Sequence, residues 1–117
     1  MKYENKMTSK GLKIRVDIDD TICKTQGMDY ENAKPIYERI QYVNDLFDRG
    51  HEIVYWTARG TGRGLDFREL TEAQLTQWGC KYTRLEFKPA YDLFVDDKAC
   101  RTFDEFKGLS YSLEMKN

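Results

Sequence analysis

Histidine is all but missing from this 117-residue chain: His51 is the only one. It follows Arg49 and Gly50 and reads as a helix-exit or strand-entry residue, not as a catalytic one. Cysteine is sparse too. Cys23, Cys80 and Cys100 are odd in number and far apart, without the paired spacing of a zinc site, so reduced structural thiols are expected. Cys23 alone, two residues past Thr21, is placed to border a site. No excess of either charge exists, with 19 Lys and Arg against 20 Asp and Glu and a formal net charge of -1. The chain therefore has no overall electrostatic attraction for nucleic acid or an anionic membrane, and a nucleic-acid partner is disfavoured. Apolar runs are no longer than a strand, and residues 1–6 lack the apolar core of a signal peptide, so a cytoplasmic protein is expected. The length fits one domain without a built-in lid.

What is present is a pair of carboxylates at the end of an alternating apolar run. Leu12, Ile14, Val16 and Ile18 alternate with polar residues and lead into Asp17, Ile18, Asp19, Asp20 and Thr21. Residues i and i+2 of a strand project to one side, so Asp17 and Asp19 are expected in one crevice. Two like charges held so close call for a cation, a shared proton or a phosphoryl electrophile between them. Oxygen-only ligands suit Mg2+, and aspartate is a covalent nucleophile in phosphoryl transfer.

The rest of the chain supplies alternating elements. Residues 1–10 read as a loose N-terminal tail, 12–18 as a strand and 21–34 as a loop or flap. Pro35 is expected to open a helix whose buried face is Ile36, Ile40, Val43, Leu46 and Phe47, closed by Gly50. Residues 52–56 form a second strand, running into Thr57, Ala58, Arg59 and a loop with Gly60, Gly62 and Gly64. A helix over 66–78 follows, with Phe67, Leu70, Leu75 and Trp78 buried. Next come a short strand over 84–87, Lys88 and Pro89, and a buried-type strand over 91–95 that delivers Asp96 and Asp97. Thr102 and Glu105 have capping-box spacing for a closing helix, and 109–117 reads as a C-terminal tail. Strands alternating with helices indicate parallel crossovers and an open α/β sheet over 11–108, with ligands beyond the carboxyl ends of the strands.

Those ends carry Asp17, Asp19, Thr57, Lys88, Asp96 and Asp97: a nucleophile, an acid, a phosphoryl donor, a cation and further carboxylates. The phrases 17–22 (DIDDTI), 50–60 (GHEIVYWTARG), Lys88 with Pro89, and 95–99 (VDDKA) resemble the four motifs of the haloacid dehalogenase (HAD) superfamily. In their longer form they resemble its small capless branch of capsule-biosynthesis phosphatase-like proteins. The resemblance covers residues 12–106. It implies an open three-layer Rossmann-like fold with a mostly parallel sheet and no cap domain. It also implies a Mg2+-dependent phosphatase acting through an aspartyl phosphate on a small phosphate ester.

In the roles so implied, Asp17 is the nucleophile and a Mg2+ ligand, while Asp19 is the acid and binds the metal through its carbonyl. Thr57 and Lys88 are catalytic and hold the phosphoryl group, with Ala58 and Arg59 beside them, and Asp97 or Asp96 completes the metal site. Asp20 departs from the pattern, since many members have glycine there and a left-handed turn is costlier for Asp.

A sugar phosphate is the first expectation for substrate, with a nucleotide or polynucleotide phosphate as the alternative. A noncatalytic phosphate- or protein-binding module is the alternative of another class. A dehalogenase has no use for Asp19 as an acid, and a phosphomutase calls for a closing domain. Arg59, Arg63 and Arg68 are candidates for a second phosphate or a carboxylate, and Tyr30 and Tyr37 for stacking. Lys13, Arg15 and Asp17 on one side of the first strand suggest an open sheet face, which a homo-oligomer would cover.

Overall fold

A computed structural model of the protein describes residues 11–116; the tail expected over 1–10 lies outside the described residues. The chain forms β1 (Lys13–Val16), β2 (Cys23–Lys24), β3 (Lys34–Pro35), α1 (Tyr37–Asp48), β4 (Glu52–Thr57), α2 (Arg68–Gln77), β5 (Arg84–Phe87) and α3 (Phe103–Lys116). β1, β4 and β5 make one parallel sheet in that order. Ile14 pairs with Ile53 and Val16 with Tyr55, while Tyr55 pairs with Leu85 and Thr57 with Phe87. The result is an open, Rossmann-like α/β fold, and no cap is inserted among the described residues. The register brings the carboxyl ends of all three strands to one edge, where Asp17, Thr57 and Lys88 leave the sheet.

The alternation read from the sequence decides which face is covered. Ile14, Val16, Ile53, Tyr55 and Leu85 point into a single core with Ile40, Val43, Leu46 and Phe47 of α1, Leu75 of α2 and Phe103 of α3. These α1 residues recur at helical spacing, so one stripe of the helix is removed from water. The opposite face of the sheet carries ion pairs around the apolar Val54 and Trp56: Arg15 pairs with Glu86 at 2.9 Å, Arg84 with Glu52 at 3.5 Å, and the Arg15 guanidinium lies 4.6 Å from the Trp56 ring centre. The charge of Arg15 is thus answered within the chain.

Four expectations are corrected here. Pro35 does not open α1; it pairs with Cys23 in the antiparallel β2–β3 ribbon, and the helix begins two residues later at Tyr37. The flap is therefore a hairpin with a 3-10 turn at Tyr30–Asn32. α2 begins at Arg68, with Phe67 and Leu70 only half-buried. Residues 91–95 form no strand, and Tyr91, Leu93 and Val95 are exposed, at 70%, 70% and 93%. The tail expected over 109–117 is instead helical through Lys116. Its start keeps one half of the capping box, for the Thr102 hydroxyl accepts the Glu105 N–H at 3.1 Å, while the Glu105 carboxylate accepts the Arg101 N–H at 2.8 Å, one residue before the cap.

Polar contacts fasten the end of α3. Glu114 accepts from Arg49 Nε at 2.8 Å and Nη2 at 3.1 Å, and from His51 Nε2 at 2.7 Å. His51 Nδ1 accepts the Leu12 N–H at 2.9 Å, so the ring proton sits on Nε2. This buried histidine lies at the opposite end of the sheet from Asp17. Hydrogen bonding from Arg49, opposed by burial and reinforced by His51, holds the Glu114 carboxyl below the usual range. Its stabilisation is complete above about pH 4.3, the unfolded value, and is lost as the pH falls through the depressed folded value. Glu114→Gln is expected to cost about 1–2 kcal/mol in urea melts at neutral pH, a difference that fades at pH 3.

Candidate active site

β1 ends at Val16, and the chain turns at once. Ile18 is fully buried, and its carbonyl accepts the Thr21 and Ile22 N–H groups at 3.1 and 3.0 Å. The turn needs a left-handed residue, supplied by Asp20 at φ 60°, whose carboxylate accepts the Thr25 N–H at 3.4 Å. Ile18 is thereby held in the core while Asp17 and Asp19 both face one cleft of about 190 Å³. Thr57, Ala58, Arg59 and Lys88 line the same cleft, and Gly27 and Tyr30 of the hairpin form its outer wall.

Asp17 and Lys88 are a pair, with Nζ 3.3 Å from Oδ2, while Oδ1 accepts the Ile18 N–H at 2.8 Å. Lys88 is positioned by its own N–H, which donates to the Thr57 carbonyl at 2.8 Å, and Nζ lies 5.7 Å from the ring centres of Trp56 and Phe94. Burial pushes the Asp17 carboxyl up, the Lys88 charge opposes it, and the nearby Asp19 adds to the rise. Thr57 is buried, and its Oγ1 accepts the Arg59 N–H at 3.3 Å, leaving the hydroxyl proton for another acceptor. The loop beyond depends on Gly60, at φ 75°, where a Cβ would stand 2.4 Å from the Leu65 carbonyl oxygen.

Arg59 does not stand free for a substrate. Its guanidinium is fully buried and forks onto Asp19, Nε to Oδ2 at 3.0 Å and Nη2 to Oδ1 at 2.9 Å. Nη1 donates to Thr71 Oγ1 at 3.2 Å and Gln74 Oε1 at 2.6 Å. Four of its five N–H groups are thus given to protein and its side chain is fully buried, so Arg59 is committed to Asp19, Thr71 and Gln74 where a second anion was expected. Arg68 pairs with Glu72 at 3.4 Å, and neither it nor Arg63 lines the cleft. Tyr30 lies against Arg59, 4.9 Å from its Cζ, and edge-on to Phe67, whereas Tyr37 is 61% exposed.

Thr71 and Gln74 are the site residues that sequence reasoning missed. Their signal was position: they fall between Phe67, Leu70, Leu75 and Trp78 on the inward stripe of α2, where a polar side chain is costly unless something buried bonds to it.

Cys23 does border the site, 3.7 Å from Asp19 Oδ1, and burial pushes its thiol up. The Cys80 thiol is pushed up to about 12 by the same cause, as suits structural cysteines. Asp96 and Asp97 are not brought into the cleft: both are exposed, and Asp96 accepts the Lys98 N–H at 2.8 Å. No cluster of three ligand-type side chains forms among the described residues. The metal-ligating donors at the cleft are nonetheless oxygens only, the Asp17 carboxylate being the more accessible. That suits Mg2+, which keeps most of its waters and needs one or two carboxylates from protein.

No protein-family model matches the chain, and no curated protein does. Among solved structures, the crystal structure of a structural-genomics target from Vibrio cholerae is similar in fold, with a TM-score of 0.72 and 22% identity. The likeness covers 91% of this chain and 99% of that one.

Proposed function

We propose that the chain is a HAD-type, Mg2+-dependent phosphatase that hydrolyses a small phosphate ester through an aspartyl phosphate, with a sugar phosphate as substrate class. The observation that carries this reading is the convergence of Asp17, Asp19, Thr57 and Lys88 on one cleft, with Lys88 3.3 Å from Asp17. Asp17 Oδ2 attacks phosphorus while Lys88 neutralises the transferring group, and the Thr57 hydroxyl donates to a phosphoryl oxygen. Asp19 gives a proton to the departing ester oxygen, then takes one from the water that cleaves the acyl phosphate. Asp17 and the Asp19 carbonyl would hold Mg2+, which when bound would offset the charge of the phosphoryl group; Asp96 or Asp97, exposed and outside the cleft in this structure, would add a carboxylate only from the 91–98 loop. A cleft of about 190 Å³ takes the phosphoryl end and leaves the body of the ester outside it, toward the hairpin.

Phosphate release is expected from a panel of sugar phosphates, nucleotides and aryl phosphates with Mg2+ present. EDTA is expected to lower it by at least about tenfold, and added Mg2+ to restore it. Undiminished release in EDTA removes the metal from the mechanism; no release from any ester removes the phosphatase.

A further inference from the structure

Arg59 is the largest fully buried side chain among the described residues. A guanidinium keeps its charge in a protein, so its burial is tolerated only where acceptors surround it. Each acceptor here is in turn held. Thr71 Oγ1 donates to the Phe67 carbonyl at 2.7 Å, and Gln74 Nε2 donates to the Tyr30 carbonyl at 2.7 Å, so one glutamine bonds both Arg59 and the hairpin. The Tyr30 ring covers the guanidinium.

At the other end of the fork, the Asp19 oxygens are not equivalent. Oδ1 accepts from Arg59, from the Thr25 hydroxyl at 2.6 Å and from the Cys23 thiol at 3.7 Å, whereas Oδ2 accepts from Arg59 alone among the described residues. Oδ2 therefore keeps a lone pair for a moving proton.

We propose that Arg59 is a positioning residue for phosphoryl transfer: by holding both oxygens of Asp19 it aims Oδ2 at the leaving oxygen of the ester. This role rests on the phosphatase reading. Asp19 enters the step with a proton on Oδ2 and gives it to the ester oxygen as that oxygen's bond to phosphorus breaks and Asp17 Oδ2 bonds to phosphorus; Asp19 Oδ2 then recovers a proton from the water that attacks the aspartyl phosphate, which frees phosphate and returns Asp17 to its carboxylate. Gln74 and Tyr30 tie the hairpin to the same pair, so hairpin and acid are set together.

The test compares wild type, Arg59→Lys, Asp19→Asn and the double variant on an alkyl phosphate and on 4-nitrophenyl phosphate, whose leaving group needs little protonation. Lysine keeps the charge without the fork. Arg59→Lys is expected to slow the alkyl ester by about 10²-fold and the aryl ester far less, as for a misaimed group. The double variant is expected to be no slower than Asp19→Asn, because the two residues act as one unit. Equal losses on the two esters, or additive losses in the double variant, overturn the role.

Should Arg59→Lys fold poorly, Gln74→Leu, which leaves Nη1 with Thr71 alone, is expected to show the same leaving-group dependence with a smaller loss. A readout free of activity accompanies these. The Arg59 Nε–H resonance is expected to exchange slowly in wild type and to lose that protection in Asp19→Asn. Fast exchange in wild type overturns the pairing itself. If the pairing is seen but wild type cleaves neither ester, the phosphatase reading fails, and the role of Arg59 in it fails too.

Discussion

Asp17→Asn is expected to release no measurable phosphate, a loss of at least about 10⁴-fold, the scale on which removing a nucleophile stops a covalent mechanism. The substitution is nearly isosteric. An asparagine oxygen still accepts the Ile18 N–H, which Asp17 Oδ1 now does at 2.8 Å, so the turn after β1 is kept. What is lost is the charge facing Lys88 and the atom that would bond phosphorus, since an amide oxygen is a poor nucleophile and its acyl phosphate cannot form. The expected variant is folded, binds inorganic phosphate in the cleft and is inert. Turnover within tenfold of wild type, with an unchanged melting temperature, would move the nucleophile to another residue.

Asp19→Asn is expected to lower turnover by about 10²- to 10⁴-fold, the range for loss of a general acid and base. The deficit should grow with the basicity of the leaving group, because an alkoxide needs the proton and a nitrophenolate does not. Stability falls as well. Asparagine turns an N–H donor toward a guanidinium that is fully buried and whose fork has Asp19 as its anionic partner. Stranding one member of a buried pair costs about 3–5 kcal/mol, less where water reaches the partner, as it does at Asp19. Kinetics and melts on the same preparation separate the two effects: a chemical role gives leaving-group dependence, a structural one gives only a lower fraction folded.

The strands that build the site were legible because their pattern is local. Lys13–Val16 alternates and Glu52–Thr57 is rich in β-branched and aromatic residues, and both form where the alternation places them. The α1 stripe, the turn at Asp20 and the cap at Thr102 are local as well. The elements that were misread depend on distant partners. A short apolar run such as 91–95 becomes a strand only where an edge receives it, and no periodicity reports whether one does. Pro35 suits a first helical position, yet pairing with Cys23 places it in β3.

Residues 109–116 have no inward apolar stripe. They are fixed through Ser110, bonded to the Tyr42 hydroxyl at 2.7 Å, and through Glu114, contacts made with α1 and the segment just beyond it. At the site, residue type announced Asp17, Asp19, Thr57 and Lys88, and the cleft contains all of them. The occupation of Arg59 was not legible, because its acceptors lie 40 residues earlier and 12 and 15 residues later in the chain.

That Asp17 accepts the phosphoryl group is tested most directly by acid quenching during turnover, followed by mass spectrometry of the peptide that carries it. One phosphoryl group is expected on Asp17, released by hydroxylamine as an acyl phosphate is and missing from Asp17→Asn. Steady phosphate release with no acyl phosphate at Asp17, or with the phosphoryl group on another residue, would contradict it.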